Sequence, residues 1–183
     1  MTADHADNNS SIMQIALNLA FACIISGIVI ATVYFLTADI AKSKEAQLQQ
    51  LALENLVKGP GYTYNKIKDK PGCYTVNQDD KVIAFIIPAV SKGYAGDVKL
   101  LVAVGPDNKV IKYTIIQSKE TPGLGTKADP DVPKNTFDDQ YVGKTSANLV
   151  VTKDHPEVKD GIQAISGATI TSRAITNAVK NAV

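Results

Sequence analysis

The chain has 183 residues, 45% of them apolar, and its 19 Lys and Arg against 18 Asp and Glu leave a formal net charge of +1. That length holds at most one ordinary domain and an appendage, and the charge balance excludes a nucleic-acid binder, which needs a basic surplus. The two histidines and two cysteines leave any one soluble domain with fewer Cys and His ligands than an iron–sulfur cluster, a structural zinc or a c-type haem needs, so redox or metal chemistry would have to rest on an organic cofactor or on carboxylates.

From the N-terminus, no charged residue lies between Asp7 and Asp39. Residues 17–36, LNLAFACIISGIVIATVYFL, are apolar except at Asn18, Ser26, Gly27 and Thr32, enough for a helix to cross a bilayer. A secretory signal would have a basic start and an apolar run of about 7–15 residues; residues 1–11 have no Lys or Arg, and the run is longer. The pattern therefore predicts a short tail over residues 1–11, a single transmembrane helix over 12–37 and a stalk helix over 38–58. In the stalk Leu48, Leu51, Ala52 and Leu56 fall at helical spacing, and Lys58-Gly59-Pro60-Gly61 stops it.

Residues 59–183 are expected to form one soluble domain. Residues 62–67, 73–76 and 82–90 are short β-branched or aromatic runs separated by Pro-Gly and Asp-Asp turn signals. Pro88 belongs at an edge or a bulge, because it has no N–H for a ladder. Residues 98–104 and 110–116 flank the five-residue loop Gly105-Pro106-Asp107-Asn108-Lys109, a hairpin at the centre of an antiparallel sheet. The chain then turns irregular, with a short turn expected over 137–141 and a further strand over 149–151. Residues 169–183 carry Ile170, Ala174, Ala178 and Ala182 four apart, an amphipathic C-terminal helix. The fold class is α+β: an antiparallel sheet with flanking helices, preceded by the membrane helix.

Two loops carry chemical signals. Lys119-Glu120-Thr121-Pro122-Gly123-Leu124-Gly125-Thr126 leaves a central strand through Thr-Pro-Gly-Leu, the residue order of a type II turn. Such a stiff, side-chain-poor loop is either a plain tight connection or a place where backbone N–H groups approach a flat ligand. Ile165-Ser166-Gly167-Ala168-Thr169-Ile170-Thr171-Ser172 opens the last helix. Its hydroxyls serve either as simple N-caps or, with the helix dipole, as a phosphate site. Neither loop has the spacing of a nucleotide P-loop or of a dinucleotide-binding fold.

Taken together, Gly93-Tyr94-Ala95-Gly96 before a strand, the ETPGLG loop and SGATITS near the C-terminus, behind one apolar span, resemble the covalent-FMN-binding domain of the G subunit of Rnf electron-transport complexes. The C subunit of the sodium-pumping NADH:quinone reductase shares that domain. The resemblance implies that Thr169 is joined to FMN through a phosphodiester installed by a separate flavin transferase from FAD, with Ser166, Gly167 and Ala168 as recognition and turn positions. It implies further that Glu120, Thr121, Leu124 and Gly125 lie against the flavin ring. The expected protein is a membrane-anchored electron relay in a complex that couples ferredoxin and NAD chemistry to sodium or proton transport. Its partners would be the other membrane subunits, the flavin transferase and membrane lipid. The rival readings are a membrane-tethered ligand-binding or scaffolding domain without covalent flavin, and a lone extracellular flavin reductase. One position departs from the family's modification motif: Gln163 stands where an acidic residue is usual, so that either Asp160, three residues upstream, substitutes through a folded-back loop or the position accepts Gln.

Sidedness is a conflict within the sequence. Lys42 and Lys44 follow the span, whereas the first eleven residues hold only Asp4 and Asp7 as charges, a bias that keeps the domain cytoplasmic. The family resemblance implies the extracytoplasmic side of a prokaryotic inner membrane. Cys23 and Cys73 lie in different segments and predict no intradomain disulfide; Cys73 reads as a packed thiol and His155 as solvated. Lys112 and Lys144 are further candidates for an anion, against the ordinary expectation that sheet lysines face water.

Overall fold

The structure, a computed structural model, describes residues 4–131 and 136–183. The chain divides into two compact units, with the boundary between Gln47 and Leu48.

Helix α1 (Asp4–Leu56) forms the first unit and continues into the second. Its stretch Ile12–Ala41 is long and apolar enough to cross a membrane, and none of it is buried within the protein. Phe21, Ile28 and Phe35 all face outward, as suits a helix whose solvent is hydrocarbon. Three hydroxyl side chains inside the stretch bond back to the helix itself. Ser26 Oγ donates to the Ala22 carbonyl at 2.8 Å, Thr32 Oγ1 to Ile28 at 2.8 Å and Thr37 Oγ1 to Val33 at 2.7 Å, the i−4 back-bond open to Ser and Thr in a helix.

In the second unit five strands form one antiparallel sheet in the order β1 (Thr63–Lys66), β2 (Tyr74–Gln78), β3 (Lys81–Lys92), β4 (Asp97–Val104) and β5 (Val110–Gln117). All five lie within two residues of the expected runs. Pro88 pairs with Leu101 of β4, whereas β2 pairs with β3 only as far as Ile86; Pro88 thus sits where β3 has no β2 partner and runs as an edge on that side, a position open to proline. The 149–151 strand reduces to one parallel bridge, Val151 to Ile162, anchored by fully buried Leu149.

Strand β4 is buried on both faces, and its period of two divides the core. Val98, Leu100, Val102 and Val104 join Tyr113, Tyr141, Leu149 and helix α2 (Thr169–Ala182) in the larger cluster. Leu101 and Ala103 join Val76, Ala84, Ile86 and the end of α1, Leu53 and Leu56, in the smaller one. A register shift opposite Ala103 and Val104 lets Val110 and Tyr113, three apart, both enter the larger core. Three aromatic rings then fix the irregular segment. Tyr141 packs edge-on to Tyr113 at 5.1 Å and to Phe137 at 5.4 Å, Tyr113 Oη donates to the Ala128 carbonyl at 2.6 Å, and Tyr141 Oη pairs with Thr176 Oγ1 at 2.8 Å. The loop after β5 is thereby tied to the sheet beneath it and to α2 beside it.

The expected stripe of α2 is buried at Ala174, Ala178 and Ala182 but not at Ile170, which is 47% exposed, and fully buried Ile175 and Val179 widen the buried face beside it. A four-residue spacing drifts by about 40° per step around a helix of 3.6 residues per turn, which rotates Ile170 out of the core. Ile175→Ala is expected to cost about 2–5 kcal/mol through the cavity it leaves. Val142→Ala, at a 58% exposed position, should change stability by less than about 0.5 kcal/mol. Urea unfolding of the detergent-solubilised full chain, followed by tyrosine fluorescence, measures both.

Candidate functional site

The first loop has the turn its residues predict. Leu124 N–H donates to the Thr121 carbonyl at 3.2 Å, with Pro122 at the second position and Gly123 at φ +75° at the third, the left-handed geometry that a type II turn requires. Gly123 N–H also donates to Thr126 Oγ1 at 2.9 Å, and the 3-10 turn Gly125–Ala128 carries the chain on to the Tyr113 anchor.

Glu120 is the buried member of this loop, only 6% exposed. Its Oε1 accepts from the backbone N–H groups of Tyr94 at 2.8 Å and Ala95 at 3.2 Å, in the β3–β4 connection. Its Oε2 accepts from Thr171 Oγ1 in the first turn of α2 at 2.5 Å. Three donors on the two oxygens suit an ionised carboxylate, which can only accept. A carboxylate this buried would be costly without them.

The second loop is a turn closed by Ala168 N–H on the Ile165 carbonyl at 3.0 Å, with Ser166 and Gly167 central and Gly167 at φ +80°. Ser172, fully buried, locks it: Ser172 Oγ accepts from Ile165 N–H at 3.0 Å and donates to the Ala168 carbonyl at 3.0 Å. Thr176 Oγ1 donates to the Ser172 carbonyl at 2.7 Å. The hydroxyls of Thr171, Ser172 and Thr176 are therefore all committed inside the protein. That of half-buried Thr169 makes no hydrogen bond among the described residues. No side chain caps α2, and Ser172 N–H is the first to reach a carbonyl, that of Ala168. The N–H groups of residues 169–171 are left at the helix end, where the dipole favours an anion.

The two loops meet around a cleft of about 550 Å³, well within the usual range for small-molecule sites. Of the sequence-predicted residues it brings together Glu120, Thr121, Leu124, Gly125, Gly167, Ala168 and Thr169. Ser166 is exposed on the turn and lies outside the lining. Tyr94, Lys153, Ile170 and Thr171 complete the wall. Tyr94 at 70%, Leu124 at 43% and Ile170 at 47% exposure present apolar surface of the kind a flat ring covers. Tyr94 belongs to the Gly93-Tyr94-Ala95-Gly96 segment of the family resemblance but has no role assigned from sequence, and nothing in sequence spacing points to Lys153; the two converge on the cleft from distant loops. Ile170 carries the signal of an apolar residue at the start of α2 that the helical stripe rotates outward.

The other candidates lie elsewhere. Lys144 Nζ binds Asp160 Oδ1 at 2.6 Å, and both line a separate cleft of about 360 Å³ with Gln140 and Gln163. Asp160 is committed to that pair, and the Gln163 backbone is held by the Gln140 side chain, with N–H to Oε1 at 2.7 Å. Lys112 is exposed on β5, Cys73 is buried, and His155 is exposed beside Glu157. On the outer side of α2, Arg173 grips Asp154 with two hydrogen bonds at 2.5 and 2.6 Å. That bond holds the Asp154 carboxyl below its ordinary range and fixes the backbone next to Lys153.

Residues 93–183 match the family model of the FMN-binding domain. The chain is 44% identical to the G subunit of the proton-translocating ferredoxin:NAD(+) oxidoreductase complex of Clostridium ljungdahlii, over 96% of this chain and 92% of that protein. It is 37% identical to the G subunit of the Na(+)-translocating ferredoxin:NAD(+) oxidoreductase complex of Acetobacterium woodii, over 60% of this chain and 52% of that protein. The crystal structure of the C subunit of the Na(+)-translocating NADH-quinone reductase from Parabacteroides distasonis is 24% identical, with a TM-score of 0.49 over 60% of this chain and 57% of that one.

The site leaves no room for a side chain at Gly125. A Cβ there would lie 2.7 Å from Glu120 Cβ, 2.8 Å from its Oε2 and 2.9 Å from Thr171 Oγ1. Gly125→Ala is expected to destabilise the protein by about 1–3 kcal/mol through overpacking. Gly27→Ala, where nothing lies within 4 Å, should leave domain unfolding unchanged; the same urea titration compares the two.

Proposed function

The chain belongs to the G-subunit family of Rnf-type ion-translocating ferredoxin:NAD(+) oxidoreductase complexes, and on that footing we propose that it is a membrane-anchored electron relay working through FMN bound covalently to Thr169. The observation that carries the reading is the Thr169 hydroxyl. It stands without a hydrogen-bond partner among the described residues at the uncapped start of α2, in a cleft whose other hydroxyl-bearing helix residue, Thr171, is held by Glu120.

The residues fit such a group. The N–H groups of residues 169–171 and the helix dipole would hold the single charge of a phosphodiester, a contribution of about 0.3–1 kcal/mol, more where partly buried. The Ser172 latch and the Gly167 turn keep Thr169 at the cleft. Tyr94, Leu124 and Ile170 would cover the ring and exclude water from its faces. Bound FMN supplies the electron uptake and release that no side chain of this domain can perform. Attachment by a separate flavin transferase from FAD would join Thr169 Oγ to the flavin phosphate, release AMP and free the hydroxyl proton. Ser166, exposed on the turn before Thr169, is accessible to that enzyme. Glu120, Thr121 and Gly125 would form the cleft wall beside the ring.

We further infer that the span over residues 12–37 anchors the flavin domain in the prokaryotic inner membrane, on its extracytoplasmic side, among the other membrane subunits of the complex. Two lysines after the span are a weak orienting bias that partner helices can override. The ion is not common to the relatives: one is named for protons and another for sodium.

Intact-protein mass after coexpression with a flavin transferase should show one added FMN, less water. Thr169→Val should abolish the addition and the in-gel flavin fluorescence, while Thr171→Val retains both; the reverse result moves the anchor. Protease treatment of sealed right-side-out cells should digest the domain, and a protected domain would overturn the external assignment.

A further inference from the structure

We propose that Glu120 sets the redox potential of this site, as a fixed negative charge in the wall of the cleft whose field is moderated by the Thr171 hydroxyl. The inference rests on reading the cleft as a flavin site. It goes beyond ring contact, because the protein is built around the charge. The carboxylate is fixed by Tyr94 and Ala95 N–H on one oxygen and by Thr171 on the other, bonds that join three separate segments. Backbone is kept clear on both sides: a Cβ on Gly93 would fall 2.3 Å from Oε1, and one on Gly125 would fall 2.8 Å from Oε2.

Among the described residues the other charged side chain lining the cleft is Lys153, which is exposed. Water and salt screen an exposed ammonium, whereas a carboxylate 6% exposed acts through a lower effective dielectric. The uptake of two electrons and one proton leaves a ring with one added negative charge. A buried carboxylate in the same cleft wall opposes that charge and holds the potential down. The Thr171 hydrogen bond offsets part of the carboxylate's charge, so its loss strengthens the opposition.

The test is a reductive titration of the flavin-loaded full chain in detergent, at mildly alkaline pH, with dithionite as electron donor and absorbance read against reference dyes. Glu120→Gln keeps the shape and an acceptor for the two N–H groups but removes the charge; it should shift the midpoint potential upward. Thr171→Val keeps the volume but removes the donor; it should shift the potential downward. Lys153→Gln should move it less than Glu120→Gln does. A merely structural role does not produce opposite signs, so shifts in one direction, or none, overturn the proposal. Failure of both variants to load FMN when the parent loads it also overturns it, because the pair would then build the site rather than tune it. A parent chain without FMN brings down the functional reading and this proposal with it.

Discussion

The site depends on one buried carboxylate. Glu120 leaves the end of the central hairpin and has to find partners, because an unpaired charge in that position costs more than the fold can spare. It finds them in the β3–β4 connection and in the first turn of α2, 26 and 51 residues away along the chain. Local turn chemistry shapes each segment separately, but only this shared acceptor brings the three to one place. The glycines at 93 and 125 follow from it, since any side chain at either would strike the carboxylate. The Tyr113 and Tyr141 hydroxyl bonds do related work from below, tying the loop and α2 to the larger core.

The same arrangement explains how the start of α2 divides its polar groups. Side-chain hydroxyls at 171, 172 and 176 are spent on Glu120 or on backbone carbonyls, while no side chain caps the backbone donors of the first turn. In most helices an N-cap hydroxyl takes one of those donors. Here Ala168 holds the cap position and takes none, leaving the helix end available to an anion and the neighbouring Thr169 hydroxyl without a competing bond among the described residues.

Much of the framework was legible because short-range physics wrote it. The uncharged stretch after Asp7, the β-branched runs and the Thr-Pro-Gly-Leu turn each carry their conformation locally, and all five strands fall close to their expected places. The anchoring of Pro88 was legible only as a choice between edge and bulge, which the shortness of β2 decides. The α2 stripe holds at Ala174, Ala178 and Ala182 and fails through its drift only at Ile170, which lines the cleft. Lys144 and Asp160 were ambiguous because a lysine on a loop can serve any anion, and here each serves the other. The roles of Tyr94, Lys153 and Ser172 could not be read beforehand. They depend on loops that meet only after folding, and a latch such as Ser172 has the same sequence signature as an ordinary cap.

The shape of the cleft bears on why a tether would suit this domain. Its strongest polar groups are already committed internally, and its apolar side chains, Tyr94, Leu124 and Ile170, lie at the surface. A ring held only by those faces would exchange with solvent, because partly exposed contacts give up much of the free energy that full burial provides. Deeper burial would strengthen the hold but would wall the ring off from an electron partner. A covalent link at the helix end would separate the two demands: retention would rest on one bond, and the open face would stay within reach of another protein. The wall is then free to act on the ring through charge rather than through grip, the task for which Glu120 is placed.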